Sequence, residues 1–313
     1  MNTAKLLLKY AIGLLIIGWL LSQVDFRKSL DLIQLNQWHY YVAAFLCFGI
    51  SRLFEGVRFY CLVPEQKLSA WLTLRIVAIS TFFNNFAATV VGDGFRTYAV
   101  NQVVGAWVKS VTVVFLDRLV GLIVLLCTVG LCTLILSDAW LELVQDGPTL
   151  ELSEWVWLLV GSVGLLLIGV LVIHKLGLLA RLIDSIKQAL SVLTVINTGS
   201  WLTVVAATVC AQLMLALMIY ALLDSFSQPV TFTQTLFSML VVFLAAYVPI
   251  SIGALGVREG VLVVLLTFFG SSQEAALAAA LLSRVMMYIY AGAGGLWLVF
   301  ERNGSKQHGV VPQ

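Results

Sequence analysis

The stretch Pro249-Ile-Ser-Ile-Gly-Ala-Leu-Gly-Val-Arg258-Glu259-Gly260 decides how this chain must fold, because it lies between two strongly apolar segments. It holds a helix-breaking proline, three glycines and two adjacent opposite charges. Each charged side chain in the hydrocarbon core of a membrane costs about 2.5–3.5 kcal/mol, and irregular backbone persists there only where it is buried in protein or lines a water-filled cavity. We therefore expect this segment to serve transport or membrane-embedded chemistry.

The composition of the whole chain is that of a membrane protein. Of the 313 residues, 61% are hydrophobic and 11% are charged, whereas soluble domains have about 25% charged residues. The mean hydropathy is +1.00. Apolar runs reach the roughly 20 residues that a helix needs to cross a hydrocarbon layer about 30 Å thick. We predict an all-α polytopic membrane protein in which residues 1–313 form a single transmembrane domain.

The apolar runs predict about six full spans and two shorter, interrupted segments. The full spans are predicted at 5–23, 38–60, 107–136, 155–173, 199–223 and 273–300. The interrupted segments, 71–91 and 231–249, each end in a glycine-rich motif that carries charges.

The distribution of Lys and Arg orients these spans, since cytoplasmic loops are enriched in both. Loop 137–154 carries acidic residues and no basic one, so we place it outside. Segment 174–198 carries three basic residues and one acidic residue, so we place it inside, and its apolar spacing predicts an amphipathic helix over about 175–197. Both termini are then cytoplasmic. We expect a multi-pass protein of the plasma membrane, which is the inner membrane in a bacterium.

These orientations require the stretches 61–106 and 224–272 to begin and end on the same side of the membrane. Each is then a re-entrant hairpin or a pair of short half-helices. The order of helix, broken segment and helix occurs twice with opposite orientation, over 38–136 and over 199–300. Inverted repeats with broken helices are the architecture of many secondary transporters. The alternative is a set of ordinary spans without symmetry.

Charged residues within these spans and motifs are unequal in number. Seven arginines stand against four acids: Arg52, Arg58, Arg75, Arg96, Arg118, Arg258 and Arg284 against Glu55, Asp93, Asp117 and Glu259. Internal salt bridges that pin helix packing, or side chains that reach a membrane interface, would explain part of this set. A positive excess in a low-dielectric site is expensive unless an anion visits it, and the planar guanidinium suits phosphate. We predict that a phosphate headgroup binds in a polar groove while its acyl chains stay in lipid.

The predicted site residues follow from these charges and motifs. The predicted substrate-binding side chains are Arg258, Glu259, Arg96, Asp93, Arg118, Asp117, Arg284, Asn85 and Arg52. The predicted hinges are Pro249, Gly253, Gly256 and Gly92. The cysteines and histidines lack the spacing of a metal site, and no nucleotide-binding GxxxxGK[ST] motif is present, so we expect no metal and no cofactor. Transport would then be passive or driven by a gradient, with Asp93, Asp117 and Glu259 as candidates for proton coupling.

Several of these motifs together resemble the lysylphosphatidylglycerol synthase transmembrane region, a flippase-like membrane domain. The resemblance covers nearly the whole chain and rests on Phe83-Asn84-Asn85, Gly92-Asp93 with Arg96, Asp117-Arg118, and Pro249-x-x-x-Gly253-x-x-Gly256-Val-Arg258-Glu259. It implies movement of a lipid with a charged headgroup between leaflets. In two-domain relatives a soluble aminoacyltransferase domain makes the aminoacylated lipid. We see no such domain here, so we do not expect synthase activity.

The chain departs from the family pattern at two places. Family members often have a glycine where Ala254 stands. They also often have a proline before the first Gly-Asp motif, where this chain reads Ala87-Ala-Thr-Val-Val. Both departures bear on the shape of the site and therefore on the substrate.

The resulting hypothesis is a flippase that moves an aminoacylated or anionic phospholipid, or a polyprenyl-phosphate-linked lipid, between leaflets. One alternative is an integral-membrane transferase that uses a lipid-linked donor, and another is a non-catalytic membrane partner of a lipid or glycan synthase. The expected partners are membrane lipids with anionic or zwitterionic headgroups, and a homo-oligomer or a partner synthase is compatible with the same sequence. A net charge of +2 does not indicate binding to nucleic acid.

Overall fold

A computed structural model describes residues 26–63, 68–86, 89–136, 198–247 and 252–307. Its helices are α1 Phe26–Asp31, α2 Trp38–Leu62, α3 Ala70–Phe86, α4 Thr89–Val104, α5 Trp107–Ile135, α6 Thr198–Ser225, α7 Phe232–Tyr247, α8 Val257–Phe268 and α9 Gln273–Gln307. Short 3-10 turns at Leu35–Gln37 and Ile252–Ala254 precede α2 and α8. These residues include no strand, and the prediction of an all-α protein is confirmed.

The long helices lie where the apolar runs predicted spans. Among the described residues, Trp107–Ile135, Gly199–Ser225 and Gln273–Leu298 are long and apolar enough to cross a membrane. Helix α2 has a similar length of 25 residues, although it carries three charged side chains. The spans predicted at 5–23 and 155–173 and the amphipathic helix at 175–197 lie outside the described residues. The chain is a multi-pass membrane protein.

The stretches 61–106 and 224–272, which were predicted to begin and end on one side of the membrane, each contain two short helices. Helices α3 and α4 occupy the first stretch and have 17 and 16 residues. Helices α7 and α8 occupy the second and have 16 and 12 residues. All four are shorter than the roughly 20 residues of a full span, and the two members of each pair pack against each other. Two packed short helices are compatible with both arrangements that the orientation allowed, so the choice between a re-entrant hairpin and a pair of half-helices stays open.

The two halves of the described chain pack on each other in a reciprocal pattern. Helix α2, which begins the first half, packs against α6, which begins the second. Helix α3 packs against α9, and α7 correspondingly packs against α5. The second helix of each half therefore contacts the fourth helix of the other, as a two-fold relation requires. This supports the prediction of a repeat, and the opposite orientation of the halves stays a prediction.

Close backbone approach holds the two halves together where α3 crosses α9. A Cβ atom added at Gly294 would lie 2.3 Å from the carbonyl oxygen of Ala78, and one added at Gly295 would lie 2.7 Å from the ring of Phe82. Lipid tails are as apolar as leucine, so membrane helices associate through such close packing rather than through the hydrophobic effect. Large apolar side chains on the outer faces, such as Leu134 of α5, remain exposed.

Candidate functional site

The backbone between α7 and α8 bends sharply at Gly253, Ala254 and Gly256. Their φ angles are +60°, +52° and +80°, in the left-handed region. Glycine adopts this region freely, whereas an alanine there costs about 1–2 kcal/mol. Gly253 and Gly256 thus have the conformation that a break requires, and Ala254 shares it despite its side chain. Pro249, the fourth predicted hinge, lies outside the described residues.

Glu259 and Arg284 hold this bend in place. The backbone N–H of Gly256 donates to Glu259 Oε2 at 2.8 Å. Arg284 Nε donates to Glu259 Oε1 at 2.5 Å, and Arg284 Nη1 donates to the carbonyl of Gly253 at 3.0 Å. Both side chains are buried. The opposite charges at Arg258 and Glu259 form no pair with each other, because adjacent residues on a helix point in different directions.

Arg258 differs from the other arginines of the site. Its guanidinium donates from Nη1 to the sulfur of Met287 at 3.2 Å and lies 5.6 Å from the ring centre of Phe243. It forms no ion pair with a carboxylate of the described residues. The positive charges of Arg284 and Arg52 and the negative charge of Glu259 act on it. Arg258 is therefore a partly buried cation held by a thioether and an aromatic ring.

The first half builds a continuous chain of ion pairs among α2, α4 and α5. Arg52 Nη1 donates to Glu55 at 2.6 Å, and Arg96 Nη2 donates to the other oxygen of Glu55 at 2.6 Å. Arg96 Nη1 then reaches Asp117 at 3.1 Å, and Arg58 Nε donates to the second oxygen of Asp117 at 2.7 Å. We call these five residues the buried ion-pair network. Three arginines share two carboxylates, so the network keeps one excess positive charge.

Arg96 lies at the centre of this network and is 2% exposed. Its Nε donates to Ser80 Oγ of α3 at 2.7 Å, and its guanidinium lies 5.4 Å from the ring centre of Phe59. Every nitrogen of Arg96 thus has a protein acceptor. These contacts join α2, α3, α4 and α5.

Asp93 and Arg118 form a separate pair on the more accessible side of α4 and α5. Arg118 Nη2 donates to Asp93 Oδ1 at 2.7 Å, and the two side chains are 36% and 27% exposed, respectively. The hydroxyl of Tyr247, at the end of α7, donates to the backbone carbonyl of Arg118 at 3.4 Å. The second half therefore reaches the first at this pair.

The breaks of the two halves meet at the end of α3. A Cβ atom added at Gly253 would lie 3.1 Å from the backbone oxygen of Asn85 and 3.5 Å from that of Asn84. The side chain of Asn85 donates from Nδ2 to the carbonyl of Thr81 at 2.8 Å, on its own helix. Among the described residues, the buried Oδ1 of Asn84 has no hydrogen-bond partner. The break before α8 thus rests directly on the end of α3.

The structure does not support the prediction that Gly92 is a hinge, because Gly92 lies inside a helix. Gly92 lies inside α4 and is absent from the described residues with positive φ. A Cβ atom added there would lie 2.0 Å from Asn84 Oδ1 and 2.7 Å from the carbonyl oxygen of Ser80. The glycine therefore allows α3 and α4 to approach closely, and it does not bend the chain.

The predicted site residues fall into small groups rather than into one constellation. Arg52, Arg96 and Asp117 belong to the buried ion-pair network, where sequence reasoning placed Glu55 and Arg58 among the charges but not in the site. Glu55 follows Arg52 by three residues and Arg58 follows Glu55 by three, inside an apolar helix, and this spacing was the available signal. Ser80 had none. Across the part of the chain that the structure describes, His, Cys, Asp and Glu form no group of three that could hold a metal ion.

Comparison with known proteins agrees with the motifs. Neither the curated proteins nor the solved structures include a match to this chain. A family model described as lysylphosphatidylglycerol synthase TM region matches residues 6–295, which is most of the chain and includes every charged group described above. The protein therefore belongs to the lysylphosphatidylglycerol synthase transmembrane region family.

Proposed function

We propose that this protein moves a lipid with a phosphate headgroup between the leaflets of the membrane, and that Arg258 binds the phosphate. The observation that carries the proposal is the state of the Arg258 guanidinium, which lacks a carboxylate partner within the described residues and is held by Met287 and Phe243. The other site arginines, at positions 52, 58, 96, 118 and 284, all have carboxylate partners.

The chemistry of these partners favours exchange with an anion. A thioether is a weak hydrogen-bond acceptor, and a cation–π contact contributes about 0.5–2 kcal/mol. Phosphate oxygens form shorter and stronger bonds with a guanidinium, often two in parallel. The charges that act on Arg258 are the positive charges of Arg284 and Arg52 and the negative charge of Glu259, so positive charges outnumber the negative one around it. An arriving phosphate would therefore displace weak contacts and gain strong ones.

Two further observations support movement rather than static binding. Short helices are interrupted in both halves, and the break before α8 rests on the end of α3. Broken helices that meet inside the membrane are typical of alternating-access transporters. Membership of the family supports a role connected with membrane lipids.

Among the candidates for proton coupling, Asp93 is favoured by its exposure. Its side chain is 27% exposed, whereas those of Asp117 and Glu259 are 1% and 4% exposed. A carboxylate that exchanges protons during transport needs access to water. Asp93 is the most exposed of these three acids. We propose Asp93 as the coupling group if a proton gradient drives the movement.

The test is reconstitution of the full chain into phosphatidylcholine vesicles that carry one labelled lipid at a time. The labelled lipids are phosphatidylglycerol, lysyl-phosphatidylglycerol and a polyprenyl phosphate, and exchange between leaflets is measured with and without a pH gradient. We expect exchange of at least one of these lipids by the wild type and its loss in Arg258→Gln. Arg258→Lys keeps the charge but not the planar fork, so we expect partial activity.

Matched variants separate the role of Arg258 from general charge and from folding. Lys109→Gln removes one exposed positive charge near the start of α5 and should leave exchange unchanged. Charge reversal at Arg96 is a poor test of binding, because it would break the buried ion-pair network and unfold the protein. Wild-type exchange by folded Arg258→Gln would overturn the role of Arg258. Folded wild-type protein that exchanges none of the lipids would favour the transferase or the synthase-partner hypothesis.

A further inference from the structure

An apolar cleft opens between α2, α3 and α9. It has a volume of about 210 Å³ and is lined by Leu53, Trp71, Leu74, Tyr290, Ala293 and Trp297. Its floor is the close contact between α3 and α9 at Gly294. The lining is apolar except for the hydroxyl of Tyr290 and the indole nitrogens, so water gains little there.

The inner end of the cleft reaches the charged groups of the site through Tyr290. The ring of Tyr290 packs edge-on against Phe48 with 5.6 Å between ring centres, and the guanidinium of Arg52 lies 5.2 Å from the centre of the Phe48 ring. The charges of Arg52, Glu55 and Arg96 act on the Tyr290 hydroxyl. Tyr290 is therefore the boundary between the apolar cleft and the polar site.

The residue that contacts Arg258 and a residue that lines the cleft lie on the same helix, α9. Met287, which accepts a hydrogen bond from Arg258, lies three residues before Tyr290, so the two share one face of the helix. Trp297 lies seven residues beyond Tyr290, which is about 10 Å along the helix axis. One side of α9 therefore leads from Arg258 through Tyr290 into the cleft.

The outer end of the cleft is marked by two tryptophans. The rings of Trp71 and Trp297 lie 4.7 Å apart, and Trp71 is 65% exposed. Tryptophan is enriched where membrane proteins meet the edge of the hydrocarbon layer. The cleft therefore opens at the surface of the described helices, and its apolar lining suits a hydrocarbon chain.

We propose that this cleft holds a hydrocarbon chain of the lipid whose phosphate binds at Arg258. The inference rests on the proposed function for the position of the headgroup, and it adds a binding site for the tail. A lipid bound at both places would have its headgroup and the first part of one chain fixed by protein while its remaining chain stays in the bilayer. A chain that moves from lipid into the cleft gains from packing and not from removal of water, so the cleft selects by fit.

Photolabelling of the full chain tests the cleft directly. The protein is placed in phosphatidylcholine vesicles that contain phosphatidylglycerol with a diazirine on one acyl chain, and the adducts are mapped by peptide mass spectrometry after irradiation. We expect adducts on the α3 and α9 peptides that contain Trp71, Leu74 and Trp297. A photoreactive polyprenyl phosphate is the second probe, and the probe that labels the cleft identifies the chain as acyl or prenyl.

A filled cleft supplies the critical variant. Ala293→Phe places a ring in the cleft from an exposed position on α9, and we expect loss of the cleft adducts. Ala206→Phe makes the same change on the exposed face of α6, away from the cleft, and should leave them unchanged. Equal labelling of the cleft peptides in the wild type and in folded Ala293→Phe would overturn the inference, as would wild-type labelling spread evenly over all lipid-facing helices.

Two further measurements keep the outcome decisive. If Ala293→Phe does not fold, competition decides on the wild type alone, because unlabelled phosphatidylglycerol should reduce the cleft adducts more than added phosphatidylcholine does, and equal competition would overturn the inference. Leaflet exchange is measured on the same samples. Labelling of the cleft without leaflet exchange would support the tail site and contradict the proposed function. Leaflet exchange without labelling of the cleft would support the proposed function and contradict the tail site.

Discussion

Asp93 and Arg118 are 25 residues apart in the chain and are joined by a hydrogen bond of 2.7 Å. Glu259 and Arg284 are also 25 residues apart and are joined by a hydrogen bond of 2.5 Å. In each half, an acid on the third helix binds an arginine on the fourth. A repeated unit would give the same spacing between paired residues on equivalent helices. The two pairs differ in environment, since the first is partly exposed and the second is buried.

Exchanging the charges of the first pair should preserve it. Asp93→Arg and Arg118→Asp alone each place like charges together, and we expect both to lower the free energy of unfolding. The double variant restores an opposite pair, and we expect a coupling energy on the order of 1 kcal/mol. Chemical unfolding of the four proteins in detergent measures it. Strict additivity of the single changes would show that the pair does not interact.

The buried ion-pair network should be far more sensitive than this exposed pair. Asp117→Asn leaves Arg58 and Arg96 without a shared carboxylate, and breaking a buried pair in this way costs about 3–5 kcal/mol. Asp93→Asn makes the same chemical change in the exposed pair and should cost about 1 kcal/mol or less. Thermal unfolding in detergent compares them. Similar losses in both variants would contradict the burial-based ranking.

A methyl group at Gly294 should lower the free energy of unfolding, because α3 and α9 are in close contact there. Gly294→Ala forces the helices apart at the carbonyl of Ala78, and overpacking of this kind costs about 1–3 kcal/mol. Gly292→Ala is the control, because nothing lies within 4 Å of an added Cβ atom there. Helix propensity should make Gly292→Ala neutral or stabilising by up to about 1 kcal/mol. Melting temperatures that fall equally for both would refute the close contact.

Replacing Ala254 with glycine should stabilise the protein, because Ala254 has a positive φ. Ala254→Gly relieves the strain of a left-handed alanine, about 1–2 kcal/mol. It also adds freedom to the unfolded chain, which offsets about 0.4–1 kcal/mol. We expect the free energy of unfolding to rise by a few tenths to about 1 kcal/mol. Ala206→Gly, in the middle of α6, should instead lower it by about 0.5–1 kcal/mol. A lower stability for Ala254→Gly would argue against the positive φ at this position.

Helix positions were the most predictable part of the fold. The spans predicted at 38–60 and 107–136 correspond to Trp38–Leu62 and Trp107–Ile135. Apolar length and charge placement act locally, so they can be read without knowing the fold. The interruption of the short stretches was also predictable, because glycine and charge are expensive in a membrane wherever the helix packs.

The partners of the charges were not predictable in the same way. Arg258 and Glu259 look like a pair in the sequence, but Glu259 binds Arg284 and Arg258 contacts Met287. Gly92 looks like a hinge, but it makes room for Asn84.

The amino-acid sequence by itself determined that this is a helical membrane protein with two broken segments and with seven arginines against four acids in its spans and motifs, because hydropathy and charge count do not depend on which helices meet. Only the tertiary structure decided that Arg258 has no carboxylate partner among the described residues and that an apolar cleft opens between α2, α3 and α9. Those outcomes depend on distances between side chains far apart in the chain, and such distances are set when α2, α3, α8 and α9 pack together.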